Sequence, residues 1–391
     1  MLKKISPYSL IMLSFVGLII IGALLLNLPF SHYPDKEVSF FEAFFTATSA
    51  VTVTGLSIVD IGAVYTGFGK FILLILIQFG GLGVLTISSV FVLLIAKRIG
   101  FYTKRLVAEG LNHNKMYDIY TVTKRVVFIT LLFEAIGAVL LFGSFIQDYS
   151  FFQALFMSVF HSVSAFCNAG IALFPHSFEG DTYNVYVNVI IAFLIIFGGL
   201  GFTTIIQAGE YLQHKRRRLD INSQFSILMT IVLLLAGTLL FFTLEYKNYY
   251  TLYGKGLFNQ LLISFFHSVS LRTAGFDTIP LEHLGSATIL FCVTFMFIGA
   301  SPNSTGSGVK TIGILFLGIK TALLNKNYIE FSKRRISWKL FNKASALVFI
   351  AMMYVLIMIV VLASIEPHFE FTKVAFELIS AFSTCGLSTG I

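Results

Sequence analysis

The chain has 391 residues, of which 57% are hydrophobic and only 12% are charged. Soluble domains carry about 25% charged residues, and a soluble chain could not bury this much apolar surface, so a soluble enzyme, a secreted domain and a disordered chain are excluded. The composition predicts an all-α polytopic membrane protein. Three cysteines in apolar or turn-like stretches predict no disulfide framework.

Seven stretches reach the ~20 apolar residues that a membrane-spanning helix needs. They are residues 8–28, 69–96, 122–146, 186–210, 224–244, 285–324 and 343–365. No small-residue cleavage site follows the first stretch, which is therefore read as a span rather than a signal peptide.

Four shorter apolar segments lie between these spans, at residues 40–50, 151–165, 257–270 and 371–382. A helix of 11 residues is about 16 Å long, roughly half the hydrocarbon core of a bilayer. Segments of this length predict re-entrant half-helices, which are tolerated only where protein or water surrounds them.

Each short segment ends in a small-residue stretch with one glycine, namely Gly55, Gly170, Gly275 or Gly386. These glycines are 115, 105 and 111 residues apart. The second and third segments share His-Ser-Val-Ser, and the first two following spans share Phe-Gly-Gly-Leu-Gly (79–83 and 197–201). The pattern predicts four tandem units of span, half-helix, glycine loop and span.

The four units are expected at residues 1–100, 101–219, 220–335 and 336–391, around a central pseudo-fourfold pore. Only five residues follow Gly386, so the fourth unit is expected to be incomplete, without its second span.

The basic residues predict the orientation. Of 27 Lys and Arg, 20 fall in clusters at residues 3–4, 97–125, 215–218 and 320–343. The positive-inside rule places these clusters and the N-terminus in the cytoplasm, with the glycine loops reached from outside. Short juxtamembrane clusters of this kind indicate topology rather than nucleic-acid binding.

A cation that crosses a bilayer needs replacements for its hydration shell, and inward-facing backbone carbonyls can supply them. Glycine allows the required turns because it tolerates a positive φ and adds no side chain. Half-helices aimed at the cavity would add their C-terminal partial negative charges. Four glycine turns in one chain therefore predict a cation pore.

The segments Thr-Val-Thr-Gly-Leu, Asn-Ala-Gly, Arg-Thr-Ala-Gly-Phe and Thr-Cys-Gly-Leu resemble the four filter segments of the Trk/Ktr/HKT potassium transporters over essentially the whole chain. The ion-translocating membrane subunit of bacterial Ktr systems is the most similar group. The resemblance implies potassium-channel-like architecture, K⁺ uptake across the bacterial cell membrane, a homodimer with one pore per subunit, and a cytoplasmic nucleotide-binding regulatory ring. It implies no cofactor in this chain.

Carried onto this sequence, the resemblance implies K⁺ coordination by filter carbonyls. The filter residues are Thr54, Gly55, Asn168, Ala169, Gly170, Thr273, Ala274, Gly275, Thr384, Cys385 and Gly386. Within the family a serine at the position of Gly55 is associated with Na⁺ conduction, so Gly55 favours K⁺. Cys385 departs from the hydrophobic residue expected there. It either tunes the site or is a tolerated small side chain.

The sixth long stretch is interrupted at residues 299–311, where small, polar and helix-breaking residues cannot face lipid. The interruption contains Gly299, Ala300, Ser301, Pro302, Asn303, Ser304, Thr305, Gly306, Ser307, Gly308 and Lys310. Composition leaves a gate and a static wet kink about equally open. The family has an intramembrane loop beneath the filter here, which favours a gate with Gly306 and Gly308 as hinges.

Two cations lie close to this predicted pathway. Lys310 either repels K⁺ or reaches the cytoplasm or a carboxylate. Arg272 is expected to brace the third filter turn from behind, with Glu42 or Glu377 as its partner.

Other polar residues are weaker signals. His161 and His267 are expected to pack their half-helices through hydrogen bonds rather than to bind metal. Glu134 and Glu210 leave open a Na⁺- or H⁺-coupled transporter of K⁺ or Na⁺, although the interrupted stretch carries Lys310 and no carboxylate. No nucleotide-binding or nucleophile motif indicates an enzyme.

Overall fold

The structure is a computed structural model, and it describes residues 7–95, 119–215, 218–310, 312–323, 329–332 and 334–390. These residues form fourteen α-helices, two 3-10 helices and one two-stranded antiparallel sheet. The α-helices are α1 (Pro7–Leu26), α2 (Phe40–Thr52), α3 (Ile61–Val64), α4 (Gly67–Ile95), α5 (Ile119–Phe145), α6 (Phe151–Phe166), α7 (Val185–Leu200), α8 (Phe202–Leu212), α9 (Ile221–Glu245), α10 (Leu257–Ser270), α11 (Ser286–Phe297), α12 (Ile312–Leu323), α13 (Trp338–Ile365) and α14 (Phe371–Ser383). The 3-10 helices are Glu179–Asp181 and Leu281–His283, and strands β1 (Ile329–Phe331) and β2 (Arg334–Ile336) pair with Ile329 opposite Ile336. The predicted helical fold is confirmed.

Long apolar helices dominate this architecture. Among the described residues three are long and apolar enough to cross a membrane, at Val122–Phe145, Ile221–Glu245 and Trp338–Ile365, and the bent pair α7–α8 could form a fourth span. Shorter apolar helices include Met12–Leu26 and Ser286–Phe297. Large apolar side chains on the long helices point outward; Leu235 is 68% exposed and Val360 67%. Such surfaces suit contact with lipid tails rather than water.

Two of the stretches predicted as continuous spans are interrupted by glycine. Gly83 breaks α4 with φ 72° and ψ 160°, and Gly201 separates α7 from α8 with φ 92° and ψ 131°. Both are the last glycine of the shared Phe-Gly-Gly-Leu-Gly motif. The prediction of unbroken helices was wrong there, because a residue with positive φ cannot continue a right-handed helix.

The described chain divides into two compact units, Met1–Gly198 and Gly199–Ile391. In the first, Ala43, Ala47 and Ala50 of α2 are fully buried and pack with Leu73 and Ile77 of α4. In the second, Phe376 of α14 packs with buried residues of α9, α10, α11 and α13. Each unit therefore has its own apolar core.

The four predicted half-helices are observed as short helices of 13, 16, 14 and 13 residues, α2, α6, α10 and α14. The sequence explains where α2 begins. Ser39 accepts a hydrogen bond from the Glu42 N–H, and Glu42 accepts one from the Ser39 N–H, which forms a capping box. These donations by Ser39 also hold the pKa of Glu42 below its usual value.

Several predicted features lie outside the described residues. They are the first repeat boundary at 100/101, Thr311 of the predicted gate, and the basic residues Lys3, Lys4, Lys97, Arg98, Lys104, Arg105, Lys115, Arg216, Arg217, Lys326 and Lys333.

Candidate functional site

The four glycine turns, residues 53–55, 168–170, 273–275 and 384–386, share one backbone conformation. Each predicted filter glycine has a positive φ: 92° at Gly55, 64° at Gly170, 80° at Gly275 and 91° at Gly386. The residue two positions earlier is also left-handed, with φ 56° at Val53, 58° at Asn168, 67° at Thr273 and 49° at Thr384. Positive φ is uncommon for residues other than glycine, so four such pairs at the ends of four short helices indicate one repeated structure.

A buried serine in the last turn of each short helix holds the glycine turn through its side chain. Gly55 donates its N–H to Ser49 Oγ at 3.0 Å, and Gly386 donates to Ser380 Oγ at 3.1 Å. In the second turn Ile171 donates to Ser164 Oγ at 3.1 Å, and in the third Ser270 Oγ donates to the Phe276 carbonyl at 2.5 Å. All four serines are at most 5% exposed.

The backbone of the same serines makes a second, invariant contact. The residue before each glycine donates its N–H to the serine carbonyl: Thr54 to Ser49 at 2.8 Å, Ala169 to Ser164 at 2.8 Å, Ala274 to Ser270 at 2.9 Å, and Cys385 to Ser380 at 2.8 Å. This bond satisfies a carbonyl that the helix end would otherwise leave unpaired. Each turn is therefore attached to its helix by at least two hydrogen bonds.

Our sequence reasoning missed these serines, although a signal was present. Ser49, Ser164 and Ser380 lie six residues before their glycines, and Ser270 lies five before, in the segment that is one residue shorter. A serine six residues before three of the glycines, and five before the fourth in its shorter segment, was the signal that would have identified them.

The two histidines pack the chain that leaves their turns, as predicted. His161 Nδ1 lies 2.8 Å from the Met157 carbonyl, and His161 Nε2 accepts the Leu173 N–H at 3.1 Å. Its ring stacks on Phe174 with centroids 4.6 Å apart. In the third repeat His267 lies 3.4 Å from the Thr278 hydroxyl and stacks on Phe241 at 5.1 Å. The predicted packing role is confirmed at both positions.

Cys385 turns its side chain into the protein. It is fully buried, and its Sγ lies 3.6 Å from the Ser270 carbonyl and 3.8 Å from the Leu271 carbonyl, at the end of α10. The thiol therefore links the fourth glycine turn to the third half-helix. Of the two interpretations left open by the sequence, this position favours the small packing side chain.

The described part of the 299–311 loop, residues 299–310, is compact and hydrogen-bonded to itself. Ala300 donates its N–H to Ser307 at 3.0 Å, and Ser304 Oγ donates to the Ser301 carbonyl at 2.6 Å. Gly308 has φ 74° and packs directly against Gly299, where a Cβ on either residue would overlap the backbone of the other. Ala300, Ser301, Thr305 and Gly306 are buried, whereas Pro302 and Asn303 are exposed at the tip.

Two other segments hold this loop. Ser307 donates its N–H to Thr273 Oγ1 at 3.2 Å, which joins the predicted gate to the third glycine turn. At the helix break, Ser301 donates to the Gly199 carbonyl at 3.1 Å, and the Phe202 N–H donates to the Asn303 carbonyl at 2.8 Å. A Cβ at Gly201 would meet the Pro302 carbonyl oxygen at 2.5 Å. The broken helix thus forms a seat for the loop.

The expectation that Glu377 pairs with Arg272 was wrong. Glu377 Oε1 instead accepts hydrogen bonds from Ser388 and Thr389, and Glu42 caps α2 with Ser39. Glu377 therefore holds the segment after the fourth turn, a short-range contact that satisfies it without a cation. Arg272 is 6% exposed and lines a cavity together with Lys310.

Of the two acidic candidates, Glu134 is the more buried, at 5% exposed. Cys167, next to the second glycine turn, directs its Sγ to Glu134 Oε1 at 3.8 Å, and Ser162 donates to the Glu134 carbonyl at 2.7 Å. Glu210 lies in α8 and is partly buried. No group of three or more metal-ligating side chains occurs among the described residues.

Comparison with known proteins decides the family. The family described as "TrkH: Cation transport protein" matches residues 11–391. The chain belongs to the TrkH family of cation transport proteins. Members of this family are ion transporters and not enzymes. The family and the apolar helices together indicate that this chain is a multi-pass membrane protein.

Curated relatives cover nearly the whole chain. It is 36% identical over 387 residues to the Ktr system potassium uptake protein B of Vibrio alginolyticus, covering 98% of this chain and 84% of that protein. It is 34% identical to the protein of the same name from Bacillus subtilis, covering 99% and 86%. The potassium/sodium uptake protein NtpJ of Enterococcus hirae is also 34% identical, with 100% and 87% covered.

A crystal structure of the potassium transporter TrkH from Vibrio parahaemolyticus has the same fold. The TM-score is 0.69, with 17% sequence identity, 97% of this chain covered and 77% of the other. The family match and the relatives confirm the resemblance to the Trk/Ktr/HKT transporters drawn from the four glycine segments.

Proposed function

We propose that this chain is the ion-translocating subunit of a bacterial K⁺ uptake system and conducts K⁺ passively down its electrochemical gradient. The observation that carries this proposal is the conformation shared by the four glycine turns. In an extended strand, successive residues face opposite sides. Left-handed residues at alternate positions interrupt this alternation of directions. Successive backbone carbonyls can then face the same side, as the carbonyls that line an ion pathway do.

In this proposal the four glycine turns form the selectivity filter. The four repeats are residues 1–100, 101–219, 220–335 and 336–391, arranged around one pseudo-fourfold axis. Each turn lies at the C-terminal end of a short helix, where the partial negative charge of the helix favours a cation. The names of the relatives, potassium uptake and potassium/sodium uptake proteins, agree with a monovalent cation as the transported ion.

The 299–311 loop is proposed as the gate, with its base at Gly299 and Gly308. Among its described contacts are a hydrogen bond from Ser307 to Thr273 in the third turn and two hydrogen bonds to the helix break, and a displaced loop would have to give these up. The N-terminus and the basic clusters are proposed to face the cytoplasm of a bacterial cell. There a nucleotide-binding regulatory ring would dock on a homodimer.

The central experiment compares K⁺ and Na⁺ flux into liposomes for the wild-type protein and Gly55→Ser. We expect the preference for K⁺ over Na⁺ to fall toward equality in the variant. A hydroxymethyl group beside a left-handed turn strains it and changes the position of its carbonyls. Gly17→Ser is the matched control, since a Cβ there meets no atom within 4 Å.

Unchanged selectivity in a folded Gly55→Ser protein would remove Gly55 from the filter and contradict the assignment. A flux that requires a Na⁺ or proton gradient, and loses that requirement in Glu134→Gln, would favour the alternative, a coupled secondary transporter. The buried carboxylate of Glu134 beside the second turn is the observation behind that alternative.

A further inference from the structure

A cavity of about 250 Å³ lies in the second unit between one face of α9 and the 299–311 loop. Asn222, Ser226 and Met229 line it from α9, at positions that share a helix face, and Ser301 lines it from the loop. The wall along α9 runs from residue 222 to residue 233, about 16 Å at 1.5 Å per residue. The cavity is therefore an elongated space with polar groups at intervals.

Arg272 and Lys310 are the two cationic residues among those that line this cavity. Arg272 is 6% exposed, and its Nε has no hydrogen-bond partner. No carboxylate is among the described residues that line the cavity. A buried guanidinium with an unpaired Nε, beside a half-buried lysine and no lining carboxylate, is unfavourable, because burial removes the hydration that would stabilise its charge.

We propose that this cavity binds a phosphate-type anion, held by Arg272 and Lys310. The guanidinium offers a planar fork of donors that matches a phosphate group, and the lysine adds a point charge. Hydroxyls of Ser226 and Ser301 lie along the same walls and can donate to further oxygens. Free phosphate or the headgroup of an anionic phospholipid would supply this chemistry, and the apolar side chains of Met229 and Leu233 suit the latter.

The loop forms one wall of the cavity, so a bound anion contacts the loop in its observed position. An anion that binds this position more tightly than a displaced one shifts the loop toward it. This effect on flux depends on the gating role proposed above, whereas anion binding itself does not.

The test measures the thermal unfolding midpoint of the purified full chain in detergent. Two probes are titrated separately: sodium phosphate, and phosphatidylglycerol in mixed micelles. Sodium chloride at equal ionic strength and phosphatidylcholine are the references. We expect a saturable rise of the wild-type midpoint with at least one probe, and which probe acts identifies the source of the phosphate group.

The variants Arg272→Gln and Lys310→Gln should each weaken half-saturation by about tenfold or more, the usual consequence of losing a hydrogen bond to a charged group. Arg272→Lys keeps the charge but loses the fork, and an intermediate effect is expected. Lys247→Gln is the control, because Lys247 lies past the far end of α9 and does not line the cavity. If Arg272→Gln does not fold, Lys310→Gln decides.

A wild-type midpoint that responds to neither probe would overturn the proposal. An equal loss of the response in Lys247→Gln would also overturn it, because the binding would then be non-specific. Flux in liposomes with and without the active probe is measured separately. Binding without any change in flux would leave the site in place and remove only its coupling to the loop.

Discussion

At the scale of single residues, one buried serine fixes the geometry of each glycine turn. Ser380 is fully buried, receives the Gly386 N–H on its hydroxyl and receives the Cys385 N–H on its carbonyl. A turn with left-handed residues other than glycine is intrinsically unfavourable, and it persists only because the surrounding contacts stabilise that conformation. The serine supplies those contacts from the same helix that aims at the turn, so the helix and the turn form one rigid piece.

Replacement of this serine tests its role. In Ser380→Ala the Gly386 N–H loses its partner, and we expect the free energy of unfolding to fall by about 1 kcal/mol. The K⁺/Na⁺ flux ratio should fall by up to about fivefold, the factor that corresponds to the same energy. Ser364→Ala is the control, because Ser364 is exposed and bonds only within its own helix. Equal flux ratios in both variants and the wild type would show that the hydroxyl does not shape the filter.

The predictability of these residues differs for physical reasons. The glycines and the short helices could be predicted because repetition and length are visible in the sequence. That Glu377 would not pair with Arg272 could not be predicted, because Glu377 is satisfied by Ser388 and Thr389 after the fourth glycine turn, and a sequence does not show which of several polar contacts forms. The position of Cys385 against α10 likewise depends on tertiary packing.

At the scale of elements, the interruptions of the helices belong together. Gly83 and Gly201 end the same five-residue motif with the same left-handed glycine, and the second break carries the 299–311 loop. A count of polar residues could not reveal either break, because Gly-Gly-Leu-Gly contains no polar side chain. The interruption at 299–311 was predictable because its polar residues cannot face lipid.

Shortening the loop separates a gate from a static kink. Deletion of residues 303–305 removes the Asn303 carbonyl that accepts the Phe202 N–H, while Gly299 and Gly308 remain paired at the base. If the loop obstructs the pathway, K⁺ flux into liposomes should rise several-fold, because the obstructing position loses contacts that favour it. Asn303→Gly keeps the loop length and tolerates the positive φ of 57°, so it should leave flux near the wild-type level. Loss of folded protein on deletion, with no rise in flux, would identify the loop as structural.

At the scale of the whole molecule, each compact unit contains two of the four glycine turns: Gly55 and Gly170 in the first, and Gly275 and Gly386 in the second. The division at Gly198/Gly199 falls within the Phe-Gly-Gly-Leu-Gly motif of the fourth long stretch. Within each unit, an apolar core of its own packs around its pair of turns.

The described basic residues on the proposed cytoplasmic side suit a protein partner. Lys339 and Lys343 are exposed four residues apart near the start of α13, on one face of that helix, and Lys215 is exposed at the end of α8. The nucleotide-binding regulatory ring proposed above is a separate polypeptide, and these residues are its proposed docking surface. Surface charges of one sign attract an oppositely charged surface and are screened by salt.

Flux through the purified subunit alone should therefore not respond to nucleotides, and addition of a Ktr-type nucleotide-binding regulatory protein should make it respond. The double variant Lys339→Gln/Lys343→Gln should weaken binding of that protein, with a smaller salt dependence, because fewer charge pairs form at the interface. The control is Lys247→Gln, just after the C-terminal end of α9. This variant should bind the regulatory protein as the wild type does. Binding of the regulatory protein to the subunit, immobilised in nanodiscs, is measured at low and at high salt. Flux is measured in liposomes with and without nucleotide. If flux through the subunit alone responded to a nucleotide, the sensor would lie in this chain. That result would contradict the proposal that the sensor is a separate polypeptide.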